Sequence, residues 1–216
     1  MANMLSDIKD NGYYLHEKSV VADLIPVGKH SIIDVGCAAG RLGKKLRESG
    51  KVERLIGVEI NEEAAEKARA WYDEVLIADL ETDVLSHLSA FDYALCCDIL
   101  EHVRYPDKLL TKLAALLKPN GFLIATLPNI RYWQILFDLA INGKWEYRNS
   151  GILDNTHFRF FTRRSLSFMF SKCNFRVLKT SILIHGKKKN AANVLTIGFF
   201  KEFLGSQILI VSQKML

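Results

Sequence analysis

The chain has 216 residues, is 49% hydrophobic and carries a formal net charge of +5 with four cysteines. That suits one globular unit with a sizeable core, and it excludes a membrane-spanning chain, since no apolar run reaches roughly 18 residues. The thiols Cys37, Cys96, Cys97 and Cys173 have no C-x-x-C spacing, which argues against a disulfide framework or zinc site and points to reduced cysteines in a cytoplasmic protein.

Residues 1–30 are expected to form a helical cover. Their start, MANMLSDIKDNGYY, lacks the apolar core of a secretory leader. Tyr13, Tyr14 and His16 precede a helical pattern at Val20, Val21, Leu24 and Ile25, which Pro26 closes. Strands are then expected at Ser31–Val35, Arg54–Ile60, Glu74–Ala78, Asp92–Cys97 and Phe122–Leu127. Helices are expected between them at Arg41–Ser49, Glu62–Tyr72, Asp83–Leu88 and Pro106–Leu117. Strands alternating with helices predict an α/β fold: a doubly wound, Rossmann-like, mostly parallel sheet with helices on both faces. Gly50 suits a left-handed helix end. Asn61 suits a cap, with Glu62 and Glu63 favourable in the first turn behind it. Pro106 suits a first helical turn, and Pro119-Asn120-Gly121 a turn feeding the next strand.

After Leu127 the rhythm breaks. Pro128 to Phe161 carries Tyr132, Trp133, Phe137, Trp145, Tyr147, Phe158, Phe160 and Phe161. It is too long for a plain connection, so an insertion is expected, with its own helix at Arg131–Ile141, folded over the acceptor pocket as a lid. A helix over Thr162–Cys173, capped by Thr162, leads to two last strands at Phe175–Leu183 and Ser206–Ser212. These leave no room for a convincing crossover helix and are expected to pair antiparallel, giving seven strands. The whole is read as one domain: a cover (1–30), a nucleotide-binding core (31–127), the insertion (128–161) and a closing helix with strands (162–216). The positive charge permits an anionic partner without demanding one, and Lys187-Lys188-Lys189 reads as a solvated loop.

Chemistry is expected first at SIIDVGCAAGRLG, Ser31 to Gly43. A buried strand breaks at Gly36, passes through Cys37-Ala38-Ala39-Gly40 and re-enters as a helix. Glycines let a ligand approach the backbone, and a helix N-terminus offers free N–H groups. The second strand ends in Glu59, 19 positions after Gly40, close to the roughly 20-residue offset at which an acid meets ribose hydroxyls. The dinucleotide fingerprint G-x-G-x-x-G is absent, its places holding Gly36, Ala38 and Arg41. A second polar set is Asp98-x-x-Glu101-His102 after the fourth strand, on one helical turn. A third is the distant run Asp154-Asn155-Thr156-His157-Phe158-Arg159-Phe160-Phe161-Thr162.

Asp34-Val35-Gly36-Cys37-Ala38-Ala39-Gly40 resembles motif I, D/E-x-G-x-G-x-G, of the class I S-adenosylmethionine-dependent methyltransferases, with Ala38 at the middle glycine. Asp79-Leu80, the strand Phe91–Cys97 leading to Asp98-Ile99-Leu100-Glu101-His102-Val103, Lys118-Pro119-Asn120-Gly121 and Pro128-Asn129 resemble the ubiquinone-pathway O-methyltransferases, over Ile32 to Thr162. Leu153-Asp154 through Thr162, with Pro128-Asn129 and Trp145, resembles bacterial methyltransferases that carry T-H-[FLI]-R-F-F-T, many of them in sugar or surface-glycan pathways. The resemblance implies S-adenosylmethionine as cofactor and S-adenosylhomocysteine as product. It implies that Asp34, Gly36 and Gly40 shape the pocket for the methionine moiety and that Cys37 and Ala38 line its loop. Glu59 would accept both ribose hydroxyls. Ile60 would pack on the adenine, Asp79 would accept its amino group beside Leu80, and Cys97 would belong to the same pocket. No N-P-P-Y follows the fourth strand, which argues against the enzymes that act on exocyclic amino groups. The pairing of an E-x-x-E-H run with a distant histidine resembles magnesium-dependent small-RNA 2′-O-methyltransferases; here the first acid is Asp98.

The expected function is methyl transfer to an oxygen, less so a nitrogen, of a small molecule or glycan precursor. Glu101, His102 and His157 are expected to converge beside the acceptor, with Asp98 as a candidate fourth member. They would hold a divalent metal, for which two imidazoles suit manganese, iron, cobalt or zinc better than magnesium. Alternatively, one histidine is a general base whose tautomer Glu101 sets. The rival functions are an RNA ribose 2′-O-methyltransferase and a cofactor-binding module without catalysis. The first needs a continuous basic surface, of which Arg159, Arg163 and Arg164 are a start. The second would have lost the acids Asp34, Glu59 and Asp79.

Overall fold

The computed structural model describes residues 20–82, 85, 88–184 and 200–215. Its elements run β1 (His30–Val35), α1 (Arg41–Glu48), β2 (Val52–Glu59), α2 (Glu62–Ala68), β3 (Glu74–Ile77), β4 (Phe91–Cys97), a 3₁₀ turn (Leu100–His102), α3 (Pro106–Leu116), β5 (Leu117–Pro128), α4 (Trp133–Asn142), α5 (Arg163–Lys172), β6 (Phe175–Leu183), α6 (Lys201–Leu204) and β7 (Gln207–Lys214). The seven strands form one sheet in the order β3-β2-β1-β4-β5-β7-β6. The first five are parallel to their neighbours; β7 lies antiparallel between β5 and β6. The chain winds outward from β1 through β2 to β3, then returns to β4 on β1's other side. The strand order therefore reverses between β1 and β4, the place where open α/β sheets bind ligands beyond their carboxyl ends.

Successive side chains of a strand point to opposite faces, and both faces here are apolar. On one, Ile33, Val35, Val58, Ala94, Cys96 and Ala125 pack with Leu109 and Leu113 of α3 and Leu166 and Phe170 of α5. On the other, Ile32, Leu55 and Leu95 pack with Leu42 and Leu46 of α1 and Ala65 and Ala68 of α2. Val21, from the helical stretch at 20–24, and Ile25 just after it join this second face, and the buried Lys51 ammonium pins the stretch by donating to the Ala22 carbonyl.

Gly50 takes φ +65 after α1, and the Asn61 side chain accepts the Ala64 N–H. Thr162 and Ser165 form a reciprocal capping box on α5. Two elements differ from expectation. Glu62–Tyr72 is helical only to Ala68, because Tyr72 turns inward to reach Asp34 and the Asp73 carboxylate accepts the Leu55 N–H. Pro119-Asn120-Gly121 is not a turn before the strand. It lies within β5, where Leu117 already pairs with Phe91, the register shifts, and Asn120 takes φ +62 as a bulge. Tyr13, Tyr14, His16 and Lys187–Lys189 lie outside the described residues, as does most of the expected helix at Asp83–Leu88.

Candidate active site

The loop after β1 turns on Gly36, φ +73, and Gly40, φ +81, values that side chains with a Cβ rarely adopt. A Cβ on Gly36 would fall 2.1 Å from Ile99 Cδ1, and one on Gly40 2.9 Å from the Ala68 Cα. The loop is thus pressed against the exit of β4 and against α2. Ala38 also has a positive φ, 48°, and is held there by donating its N–H to Glu59 Oε2 at 2.9 Å. The second oxygen, Oε1, accepts the Asn61 N–H at 2.9 Å. Each carboxylate oxygen has two acceptor sites, so Glu59 keeps one on each while it ties the loop to β2.

Asp34 is 2% exposed. It accepts the Tyr72 hydroxyl at 2.5 Å, and that hydroxyl accepts the Gly43 N–H of α1 at 3.1 Å. Burial, and after it the Asp34 charge, pushes the Tyr72 phenol well above its usual range, so it stays a donor. Asp34 therefore braces β1 against the first turn of α1. Asp79, half-buried beside Leu80, accepts the Glu81 N–H at 2.8 Å. Ile60 stands 59% exposed on the rim. Cys37 and Cys97 are buried. All of these lie at or just beyond the carboxyl ends of β1 to β4, on one edge of the sheet.

On the same edge, Glu101, His102 and His157 come together: one ligand atom of each lies within 4.8 Å of the others. Glu101 is 1% exposed. The 3₁₀ turn carries Glu101 and His102, and the insertion returns His157 by donating the Phe158 and Arg159 N–H groups to the Glu101 carbonyl, at 2.8 and 3.2 Å. The His102 and His157 rings meet edge to face at 4.6 Å.

Hydrogen bonds settle both tautomers. The Thr156 hydroxyl gives its one proton to Asp154 Oδ1 at 2.6 Å, so at 3.0 Å from His102 Nδ1 it accepts. The Ile152 carbonyl, 3.0 Å from His157 Nδ1, can only accept. Nδ1 is thus the donor on both rings, which turns each Nε2 away from these bonds. Burial, with His157 as the second cause, lowers the His102 pKa from 6.5 to about 4. Burial likewise raises the Cys96 thiol well above its usual value, which removes it as a thiolate.

Asp98 does not join the cluster found among the described residues. Its Oδ1 accepts the Gln207 amide of β7 at 2.8 Å, and its backbone sits at φ 56. Sequence reasoning missed Thr156 and Asp154 as the support of His102. The signal was an Asp two residues before a Thr, which closes an Asx turn with the Thr156 N–H on Asp154 Oδ1 at 2.8 Å. It also missed Tyr72, for which no local signal exists.

The insertion leaves and re-enters the sheet through one joint: Ile130 N–H donates to the Phe161 carbonyl, and Asn129 N–H to Ser206. Phe160 carries its aromatics toward the site, 5.5 Å from Trp145, 6.3 Å from Tyr147 and 6.3 Å from His157.

The family model for a methyltransferase domain matches residues 7–180. The ubiquinone biosynthesis O-methyltransferase of Coxiella burnetii is 29% identical over 119 residues, 52% of this chain and 49% of that protein. That of Bradyrhizobium diazoefficiens is 31% identical over 143 residues, 64% of this chain and 54% of that protein. The chain thus spans about half the length of these relatives. A solved S-adenosylmethionine-dependent methyltransferase from Archaeoglobus fulgidus has a TM-score of 0.68 at 18% identity, over 94% of this chain and all of that one. Magnesium protoporphyrin IX methyltransferase from Synechocystis, solved with bound S-adenosylhomocysteine, has a TM-score of 0.62 at 16% identity, over 94% of this chain and 83% of that one. The two solved structures share the fold, and the family match spans most of the sequence. With a glycine corner whose tip is held by an acid at the end of β2, the chain belongs to the class I S-adenosylmethionine-dependent methyltransferases.

Proposed function

We propose that the enzyme methylates an oxygen of a small-molecule acceptor, with glycan precursors as the class its Thr156–Thr162 run resembles. The observation that carries this reading is the convergence of a carboxyl group and two imidazoles within 4.8 Å. An amine brings its own lone pair to the reaction, whereas a hydroxyl has to be made nucleophilic. S-adenosylmethionine supplies an electrophilic methyl group, so the chain's work is alignment and the handling of the acceptor proton. Gly36, Cys37, Ala38 and Gly40 cradle the methionine end, braced by Asp34. Glu59 takes the ribose, and Ile60, Asp79 and Leu80 flank the adenine with Cys97 beneath. The 128–161 insertion covers the acceptor side. The names of the curated relatives as O-methyltransferases support the choice of oxygen.

Glu101, His102 and His157 would hold a divalent cation, and the donor set fits one. Both imidazoles have Nδ1 engaged by a hydrogen bond, the outer-shell arrangement that fixes a ligand's tautomer, and two nitrogen donors select manganese, iron, cobalt or zinc. A cation there would lower the pKa of an acceptor hydroxyl. The second reading, His102 as a bare base, draws on its Thr156–Asp154 support. Its pKa of about 4 makes it a weak base at neutral pH, which favours the ligand role. RNA is the poorer acceptor, because Arg163 and Arg131 are both paired with Glu202.

Release of S-adenosylhomocysteine across nucleotide sugars, quinol precursors and short RNAs, with chelator and manganese add-back, tests the proposal. Turnover on a hydroxyl acceptor, lost to chelator and restored by manganese, is expected. Turnover confined to amines would overturn it.

A further inference from the structure

Beside the Glu101–His102–His157 cluster lies an open cavity of about 370 Å³ lined by Arg104, Tyr105, Phe158 and Arg159. Arg159 donates through Nε and one terminal nitrogen to the Arg104 carbonyl, at 3.0 and 2.8 Å. This fork fixes its guanidinium before any ligand arrives, which lowers the entropy lost on binding. The Arg104 guanidinium lies over the Phe158 ring, 5.1 Å from its centroid, and the Lys108 ammonium over the Tyr105 ring at 4.5 Å. Both rings are 53% exposed. Glu81 turns its Oε1 to the backbone, accepting the Arg104 and Tyr105 N–H groups at 2.9 and 3.3 Å. Two guanidiniums thus line an open, ring-walled cavity, with the Lys108 ammonium stacked on one of its rings.

We propose that this cavity is a diphosphate subsite for the acceptor, a reading that rests on the methyl-transfer assignment only in calling the ligand an acceptor. A carboxylate satisfies one guanidinium. A diphosphate offers a bidentate face to each of two, and carries the multiple charge that two guanidiniums balance. The half-exposed rings take the ring or chain that the diphosphate carries. A diphosphate reaches such a site either on a nucleoside or on a prenyl chain, and the two are separable.

Calorimetry with saturating S-adenosylhomocysteine, using UDP, farnesyl diphosphate, uridine and farnesol, tests the subsite. At least one diphosphate should bind one to one, and the uncharged pair should not. Preference for UDP assigns a nucleotide-linked acceptor, preference for farnesyl diphosphate a lipid-linked one. Arg104→Gln and Arg159→Gln should each weaken that binding about tenfold or more, with S-adenosylhomocysteine affinity held within about twofold. Arg104→Gln leaves the Arg159 fork on the Arg104 carbonyl intact, so it reads the charge even if Arg159→Gln loosens the loop. The subsite is overturned if neither diphosphate binds below millimolar, if both variants bind as wild type, or if only a short RNA binds through these arginines. Loss of S-adenosylhomocysteine binding would instead strike the methyltransferase assignment, which the diphosphate titrations leave untouched.

Discussion

His102 is held neutral by burial and by one neighbour, His157. Burial and His157 oppose a proton on the ring, while the Asp154 charge and the Thr156 hydrogen bond favour one. The first pair wins, and the pKa falls to about 4. In the unfolded chain the ring protonates near its model value of 6.5. Between these values the unfolded state binds more protons, so stability is full above about pH 6.5 and is lost as pH falls toward about 4. Urea midpoints across this window should therefore decline with acid, and His102→Gln should flatten the decline. An unchanged slope in the variant would show that other groups carry it. Glu59 works at the other end of the site. Its carboxylate accepts two backbone N–H groups and would accept the ribose diol through charge-assisted bonds worth about 1.5–3 kcal/mol each. Glu59→Ala should weaken S-adenosylhomocysteine binding by roughly 10- to 100-fold, measured by calorimetry, because the diol loses its acceptor and Ala38 its anchor.

At the scale of elements, the insertion depends on one buried side chain. Asn129 is fully buried. It donates to the Glu202 and Gly205 carbonyls at 2.8 Å each and accepts the Arg131 N–H at 3.1 Å, tying β5 to the α6 segment before β7. Asn129→Ala strips three bonds from a buried side chain and should cost about 2–4 kcal/mol, read as a lower denaturant midpoint. It should also loosen residues 130–160 in hydrogen exchange ahead of the sheet. Equal protection in both regions would mean that the insertion is anchored elsewhere. Helix α4 buries none of its residues, so the joint at Asn129 and the Phe158–Glu101 contact, not α4 packing, position His157.

For the molecule as a whole, the sheet was legible because each strand is its own signal. Ile32, Ile33 and Val35 are apolar on both faces, as a doubly covered parallel strand must be, and the seven strands appear close to where the pattern puts them. Helix caps at Asn61 and Thr162 were legible for the same local reason. The end of α2 was not, since it is decided by Tyr72 reaching across 38 positions to Asp34. Nor was the bulge at Asn120, which depends on the register of β5 against β4. In the site, residue chemistry named Glu101, His102 and His157, and the fold brings all three together. Asp98 had the right chemistry and spacing, yet Gln207 from β7 takes its carboxylate, a contact 109 positions distant that no motif encodes.

The central claim is that this cluster serves the acceptor and not the cofactor. Manganese titrated into the enzyme saturated with S-adenosylhomocysteine tests it most directly, in wild type, Glu101→Gln and His157→Ala. One manganese per chain should bind wild type and be lost in both variants, while S-adenosylhomocysteine affinity stays within about twofold and turnover on any hydroxyl acceptor falls roughly 10²-fold. Manganese binding that is absent from wild type, or equal in all three proteins with turnover intact, would contradict it.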